Sequence, residues 1–400
     1  MSKVYVAAAK RTAIGAFNGS LSSIPANEYG AAVVSAIMKE TNVPGGDVSE
    51  LISGMVLPAG TGQGPARQVA LKAGLPETVP ASGISMVCGS GMKAVINAAA
   101  AIKAGLGDVY IAGGTENMSQ APYLLPGARQ GLRMGNKEVI DHMVYDALTD
   151  AFQGYHMGIT AENVAERYEI TREMQDEFAY ESQQKAIRAV DADAFKDEIV
   201  PFGIKNRKGE IIFDKDEYPN RTTNPEKLSS LRPAFKRDGT VTAGNASGIN
   251  DGAAYLMLVS EAALEKYGLT PLAEVIGLGQ GGVAPEVMGL GPVPAIRNAL
   301  DAAGVKLSDI DVIELNEAFA AQSLGVVKEL VKEHGVDEET IRSRTNLKGG
   351  AIALGHPVGA SGARIAVTLL HLMKEKNAGL GLASLCIGGG LGTAIVLRRI

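Results

Sequence analysis

Tryptophan is absent, aromatic residues of all kinds make up 5%, and cysteine occurs twice in 400 residues. Two cysteines close one bridge at most, so no disulfide framework holds this fold. Excess positive charge is missing too: Lys+Arg 38 against Asp+Glu 44 gives a net charge of −6. The basic residues are scattered apart from short clusters such as Lys205, Arg207 and Lys208 and the terminal Arg398-Arg399, a poor electrostatic footprint for nucleic acid. No apolar run approaches the roughly 18 to 20 residues of a membrane span. The opening run Val4–Ala9 meets Lys10-Arg11 too early for the apolar core of a secretory signal. The expectation is a cytoplasmic protein with neither a nucleic-acid nor a membrane partner.

Glycine, by contrast, is abundant: 49 of 400 residues, about 12% against a usual share of about 7%. Hydrophobic residues reach 46%, and the length predicts two to three domains at roughly 150 residues each. Short β-rich runs (Val4–Ala9, Leu51–Val56, Val109–Ala112, Val312–Leu315, Ser384–Ile387, Thr393–Leu397) alternate with Ala-rich helical patterns, the rhythm of an α/β protein. Stretches of the first part recur in the last. Asp47–Gly54 echoes Leu307–Glu314, Gly107–Gly114 echoes Ala383–Gly390, and the Gly-Ser-Gly start of a helix at 89–91 echoes Ala360-Ser361-Gly362. The order in both is strand, glycine turn into helix, strand ending in glycines, which predicts two related α/β halves. Between them, roughly 120 to 245, the chain is more polar. It carries a helix candidate over Thr171–Val190 with Thr171 as N-cap and a Pro- and Asn-punctuated stretch Tyr218–Phe235. This reads as an insertion over the two halves, either shaping a ligand site or decorating the surface.

Four constellations carry chemistry. Cys88, in Ser85–Gly91, sits on a glycine turn just before a helix. Free N–H groups and the helix dipole there favour a thiolate; the alternative is a small buried cysteine. His356, in Gly355–Gly362, occupies a similar turn and suits a general base, or else a histidine hydrogen-bonded to backbone. Cys386 ends a strand before Gly388-Gly389-Gly390, where small residues let a substrate approach and free N–H groups serve as oxyanion donors. Asn316, in Asn316–Ala320, ends another strand; its amide can hold a water or a carbonyl oxygen, or be an ordinary loop residue. His142, His334 and His371 have no such context. Gly277–Gly282 matches G-x-G-x-x-G after a strand, but no helix opens directly behind it, so it is rejected as a nucleotide fingerprint. No HExxH, CxxC or paired-His spacing occurs, so no metal is expected.

Taken together, Val87–Gly91 (VCGSG), Asn316–Ala320 (NEAFA), Gly355–Gly362 (GHPVGASG) and Cys386–Gly390 (CIGGG), in this order and at these separations, resemble the thiolase family from Val4 to the C-terminus. The resemblance implies an α/β thiolase-like fold, two similar halves in a layered αβαβα core. Residues 1–119 with 246–270 form the N-terminal half, 120–245 a loop domain and 271–400 the C-terminal half. It implies that Cys88, activated by His356, takes the acyl group of a 3-ketoacyl-CoA and passes it to CoA, while Cys386 exchanges the α-proton. Asn316, through a water, and His356 form one oxyanion site; the N–H groups of Cys88 and Gly388 form the other. The CoA contacts it implies are Leu148, His156, Met157, Phe235, Ala243, Ser247, Ile249, Met288, Ala318 and Phe319, with Arg221 meeting the nucleotide phosphates.

Tyr155–Gly158 resembles the short-chain biosynthetic type, in which His156 and Met157 narrow the acyl pocket. That implies acetyl-CoA, acetoacetyl-CoA and CoA as the partners, with CoA a substrate and product and no resident cofactor. The alternative is a degradative thiolase of broader or medium chain length. The resemblance further implies a homotetramer, a dimer of dimers, with Tyr123–Met143 as the tetramer-forming loop. Glu333–Arg344 is expected to be a surface loop.

Overall fold

The computed structural model describes residues 3–206 and 209–400; Arg207 and Lys208 of the basic cluster lie outside the described residues. The principal strands are β1 (Val4–Arg11), β2 (Glu50–Gly54), β3 (Ala81–Ile84), β4 (Val109–Asn117), β5 (Asn250–Ser260), β6 (Ala273–Gly282), β7 (Val312–Leu315), β8 (Leu380–Ile387) and β9 (Leu391–Arg398). With the two-residue strand Gly15–Ala16 they form one ten-stranded sheet in the order β7-β8-β9-β6-β1-β5-β4-β2-β3. The helices that matter below are α1 (Ala26–Thr41), α2 (Pro65–Lys72), α3 (Ser90–Lys103), α4 (Met157–Arg167), α5 (Arg172–Asp191), α6 (Pro292–Ala303), α7 (Ala320–His334), α8 (Glu338–Arg344) and α9 (Val358–Lys376).

The sheet is two halves joined at a short seam, Tyr5 and Val6 of β1 against Glu274 and Ala273 of β6. Outward from the seam each half repeats one series. β1/β5 and β5/β4 are antiparallel and β4/β2 parallel; β6/β9 and β9/β8 are antiparallel and β8/β7 parallel. The internal repeat is therefore real at the level of strands. Its register differs from the sequence echo: Gly113 and Gly114 lie inside β4, whereas Gly388–Gly390 follow the end of β8.

Side-chain alternation builds five layers. In β5, Tyr255, Met257 and Val259 join α1 and α2, while Ala254, Leu256 and Leu258 join α3 and α9. In β9, Ile395 and Leu397 face the same central helices, and Ala394 and Val396 face α6 and α7. A strand covered on both faces has no polar side to show, which is why β5 reads as an unbroken apolar run and escapes the alternation test. The central helices touch almost backbone to backbone where glycines meet. A Cβ on Gly362 would lie 2.5 Å from Met92 N, and one on Gly91 3.0 Å from Gly359 O. The rejected G-x-G-x-x-G is the strand β6, longer than its apolar start Ala273–Ile276 suggests. A Cβ on Gly279 would lie 2.0 Å from Ala295 O and one on Gly277 2.2 Å from Ala299 O, so its glycines serve close packing of α6.

The chain between β4 and β5, which are hydrogen-bonded neighbours, leaves and returns at the same end of the sheet, Asn117 opposite Asp251. It holds α4 and α5, the latter capped by Thr171, whose Oγ1 accepts from Met174 N at 3.3 Å. Buried Arg11 of β1 ties this segment to the body, bonding Asp216 through both Nη atoms at 2.7 and 2.9 Å and Glu198 at 2.5 Å. The expected loop over Glu333–Arg344 is instead the end of α7 followed by α8. Asp337 caps α8 by accepting from Thr340 N at 2.9 Å, and Ile341 is buried beneath it. Among the described residues no helix is long and apolar enough to cross a membrane.

Candidate active site

The crossing of α3 and α9 brings their N-terminal ends together, and each end opens on a residue singled out by sequence. Cys88 stands two residues before α3. Val87 just ahead of it has φ of +43°, a conformation costly for a β-branched side chain and one that clusters at functional sites. His356 stands two residues before α9, its N–H donating to buried Asn250 Oδ1 at 2.9 Å. The parallel neighbours β7 and β8 deliver the other two groups at adjacent strand ends: Cys386 within β8, and Asn316 just beyond β7, its N–H donating to Ser384 O at 3.0 Å.

Cys88, His356, Cys386 and Gly388 line one cavity of about 410 Å³, within the usual range for a small-molecule site. Its wall also contains Leu148, His156, Met157, Phe235, Ala243, Ser247, Ile249, Met288, Ala318 and Phe319, every residue expected to contact CoA except Arg221. Arg221 does not line the cavity; it is an exposed residue whose guanidinium donates to both carboxylate oxygens of Asp191, at 2.6 and 3.0 Å. Asn316 is buried behind the wall, its Nδ2 3.5 Å from His356 Nε2. Sequence reasoning missed Phe17, Met118, Ala147, Tyr218, Ala234, Ala246, Gly248 and Val358 in the lining. Val358, inside the His356 motif, and Tyr218 and Ala234, inside the punctuated stretch 218–235, carried a signal there.

The electrostatics differ from the helix-terminus expectation. Burial pushes the Cys88 thiol up to about 11, although the backbone N–H groups of Gly388 and of Cys88 itself hydrogen-bond the sulfur and pull the other way. Desolvation of a thiolate outweighs two amide dipoles. Cys386, more deeply enclosed, is raised further, by burial and then by the neighbouring Cys88 charge. Burial, and secondarily the Arg364 cation, lowers His356 to about 3, so the ring is neutral at pH 7. A neutral thiol and a neutral imidazole share the cavity, the starting state for proton transfer concerted with attack rather than for a standing ion pair.

The end of the cavity lined by His156 and Phe235 has its own construction. His156 is the N-cap of α4, its Nδ1 accepting from Gly158 N at 3.0 Å, which leaves the proton of the neutral ring on Nε2. The ring stacks on Phe235 with centroids 4.4 Å apart, and Phe235 meets Phe319 edge-on at 6.3 Å. Behind Cys88, buried Glu116 accepts from Val56 N at 2.8 Å, Leu57 N at 3.1 Å and Gly359 N at 2.9 Å, tying the turn after β2 to the first turn of α9. His142 is buried against Asp146, and His371 Nε2 lies 3.0 Å from Ala9 O; neither lines the cavity.

Family models match the chain over nearly its whole length: thiolase, N-terminal domain, over residues 4–262 and thiolase, C-terminal domain, over residues 269–399. The acetyl-CoA acetyltransferase of Chromobacterium violaceum is 55% identical over 398 residues, 99% of this chain and 100% of that protein. That of Pseudomonas aeruginosa is 55% identical over 400 residues, with both chains covered completely. Among solved structures, the acetyl-CoA acetyltransferase from Syntrophomonas wolfei superposes with a TM-score of 0.97 at 43% identity, again over 100% of both chains.

Proposed function

The chain belongs to the thiolase family, and from that premise we propose that it is an acetyl-CoA acetyltransferase, condensing two acetyl-CoA molecules to acetoacetyl-CoA and CoA and catalysing the reverse thiolysis. The observation that carries the reading is the single apolar cavity shared by both thiols, His356 and the Gly388 backbone. Cys88 Sγ attacks the acetyl-CoA carbonyl carbon as its proton passes to His356. The oxygen of the tetrahedral intermediate rests on the N–H groups of Cys88 and Gly388; the bond to the CoA sulfur breaks, and that sulfur takes the proton back from His356. A second acetyl-CoA then gives its α-proton to the Cys386 sulfur, which receives it as a thiolate. Its enolate oxygen is held by His356 and by a water on Asn316, and its α-carbon attacks the acyl carbonyl and expels Cys88 as a thiolate, which recovers the proton from Cys386 and restores both sulfurs. Thiolysis runs the same steps backwards. A thioester to the enzyme divides one acyl transfer into two easier ones.

A negative charge on Cys88 would raise Cys386 beyond what burial does, so the two sulfurs do not hold charge together: Cys386 serves as base only while Cys88 is uncharged, as it is in the thioester. Five of the proposed CoA contacts (Leu148, His156, Met157, Phe235 and Ala243) come from residues 120–245, which supports reading that stretch as the CoA-binding loop domain. Arg221 can join the nucleotide phosphates only by giving up Asp191. Tyr123 at 67% exposure, Leu132 at 52% and Met134 at 102% make an apolar surface in 123–143; we assign it to a homotetramer contact. Two free thiols suit a reducing compartment, and we place the enzyme in the cytoplasm.

The experiment is CoA-dependent thiolysis of acetoacetyl-CoA beside six- and eight-carbon 3-ketoacyl-CoA substrates, compared as kcat/KM. A preference for four carbons is expected from the His156–Phe235 wall. Preference for the longer chains would overturn the short-chain reading, and no turnover of any would overturn the acyltransferase reading itself.

A further inference from the structure

The His356 ring is held on both sides. Nδ1 lies 2.6 Å from Ser361 Oγ, Nε2 3.5 Å from Asn316 Nδ2, and Ser361 Oγ also lies 2.9 Å from the Pro357 carbonyl oxygen. Ser361 is fully buried and His356 is 5% exposed. A neutral imidazole carries one proton and a serine hydroxyl one, which leaves two ways to distribute them. The Pro357 oxygen accepts from Ala360 N at 2.9 Å and Ser361 N at 3.0 Å and can only accept, and the hydroxyl directed at it from 2.9 Å is a further donor, which places the serine proton there. Ser361 Oγ then has only lone pairs to offer the ring, and Nδ1 must supply the proton. That leaves Nε2 bare, opposite an Asn316 amide that donates. The reverse arrangement sets an Nε2–H against the Asn316 NH2, donor to donor, and strips Pro357 of the hydroxyl.

We infer that Ser361 is the positioning residue of His356: its hydroxyl, anchored on the Pro357 carbonyl one turn earlier, keeps the ring proton on Nδ1 and so leaves Nε2 free to take the Cys88 proton. This is the task a buried carboxylate performs for the histidine of a serine hydrolase, done here without charge. When Nε2 accepts the thiol proton, the Nδ1–H bond to Oγ becomes charge-assisted and stabilises the imidazolium that burial and Arg364 oppose. A hydroxyl can also donate. When Nε2 takes a proton from water and Nδ1 yields its own to water, the ring reaches the tautomer that holds an enolate oxygen, and Ser361, turned away from Pro357, donates to the bare Nδ1; the Pro357 oxygen keeps the N–H groups of Ala360 and Ser361.

The inference rests on the reading of Cys88 as the acylated nucleophile, and the test separates the two. Enzyme is mixed rapidly with radiolabelled acetyl-CoA and quenched, and label on protein is followed against acetyl-CoA concentration for wild type, Cys88→Ala, Ser361→Ala and the near-isosteric Ser361→Cys. In Ser361→Ala the limiting acylation rate should fall roughly ten- to a hundredfold, the worth of a hydrogen bond to a charged group, at an unchanged half-saturating concentration. Ser361→Cys should lie between, because sulfur is a weak acceptor. Wild-type rates in Ser361→Ala, or a loss appearing only in the half-saturating concentration, would overturn the inference. Should Ser361→Ala not fold, Ser361→Cys decides alone, a wild-type limiting rate refuting it. Label absent from wild type, or persisting on Cys88→Ala, is instead the failure of the Cys88 reading, and the inference falls with it.

Discussion

Gly158 is the position at which a single methyl group should alter substrate handling without touching a reacting atom. A Cβ there would lie 2.1 Å from Phe235 Cδ2, 2.3 Å from Cγ and 2.5 Å from Cε2, whereas ordinary contact begins near 3.4 Å. In Gly158→Ala the ring must therefore retreat by more than 1 Å. It is trapped between the His156 face and the Phe319 edge, so it cannot retreat and keep both. The loss is about 0.5–1.5 kcal/mol of aromatic contact plus about 1–3 kcal/mol of overpacking. Because Phe235 walls the cavity rather than carrying out chemistry, the change should appear in binding: kcat/KM for acetoacetyl-CoA thiolysis falls about tenfold through KM, with kcat within about threefold. The displaced wall should also raise the six-carbon to four-carbon ratio of kcat/KM. Steady-state thiolysis with both substrates measures this. A variant with wild-type KM and chain-length ratio would show that the His156–Phe235 stack does not set the acyl pocket.

Cys386→Ala should still be labelled by acetyl-CoA on Cys88 but lose carbon–carbon bond formation by about a hundredfold or more; unimpaired condensation in that variant would refute its role in proton exchange. Glu116 gives a prediction about pH. Burial pushes its carboxyl up to about 7 from 4.5, so between these values the folded state binds more protons than the unfolded one, and the associated stability is present below pH 4.5 and lost as pH rises to 7. His356, lowered to about 3, has the opposite sign over about pH 3 to 6.5, so the wild-type curve mixes the two and a difference is needed. The stability deficit of Glu116→Gln relative to wild type should be larger at pH 5 than at pH 8, by up to roughly 3 kcal/mol; unfolding curves showing a constant deficit would be incompatible with this titration.

Much of this molecule is legible as a string, and the exceptions share a cause. Val312–Leu315 reads correctly as a strand because β-rich residues fill it between Asp311 and Asn316. β5 does not, because burial on both faces erases its alternation, and β6 does not, because Gly277, Gly279 and Gly281 read as turn residues when they are flat ground for a helix. The same division holds at the site. Cys88, His356 and Cys386 stand out because each lies at a glycine-flanked turn or strand end. What surrounds them is not local. The helix-terminus argument for a Cys88 thiolate is sound for an exposed turn, and fails here because the turn lies against residues nearly 300 positions away, Ile387 among them, whose Cδ1 would be 2.2 Å from a Cβ on Gly89.

The geometry also explains why reactive precision resides in helix starts rather than in loops. Cys88 and His356 each precede a helix of the central layer, and those helices are fixed to one another where Gly91 and Gly362 remove the side chains that would separate them. Any residue larger than glycine at 362 would meet Met92 N at about 2.5 Å and force α3 and α9 apart, carrying the thiol away from the imidazole; a misplacement of about 1 Å can cost about a hundredfold in rate. The two helices occupy matching places, α3 before β4 in one half and α9 before β8 in the other, so the repeat itself presents Cys88 and His356 at equivalent helix starts. Glu116 then locks the arrangement from the side, because its carboxylate binds the N–H of Gly359 in the first turn of α9 while its own strand, β4, runs beside β2, the strand that leads into the turn at Val56 and Leu57.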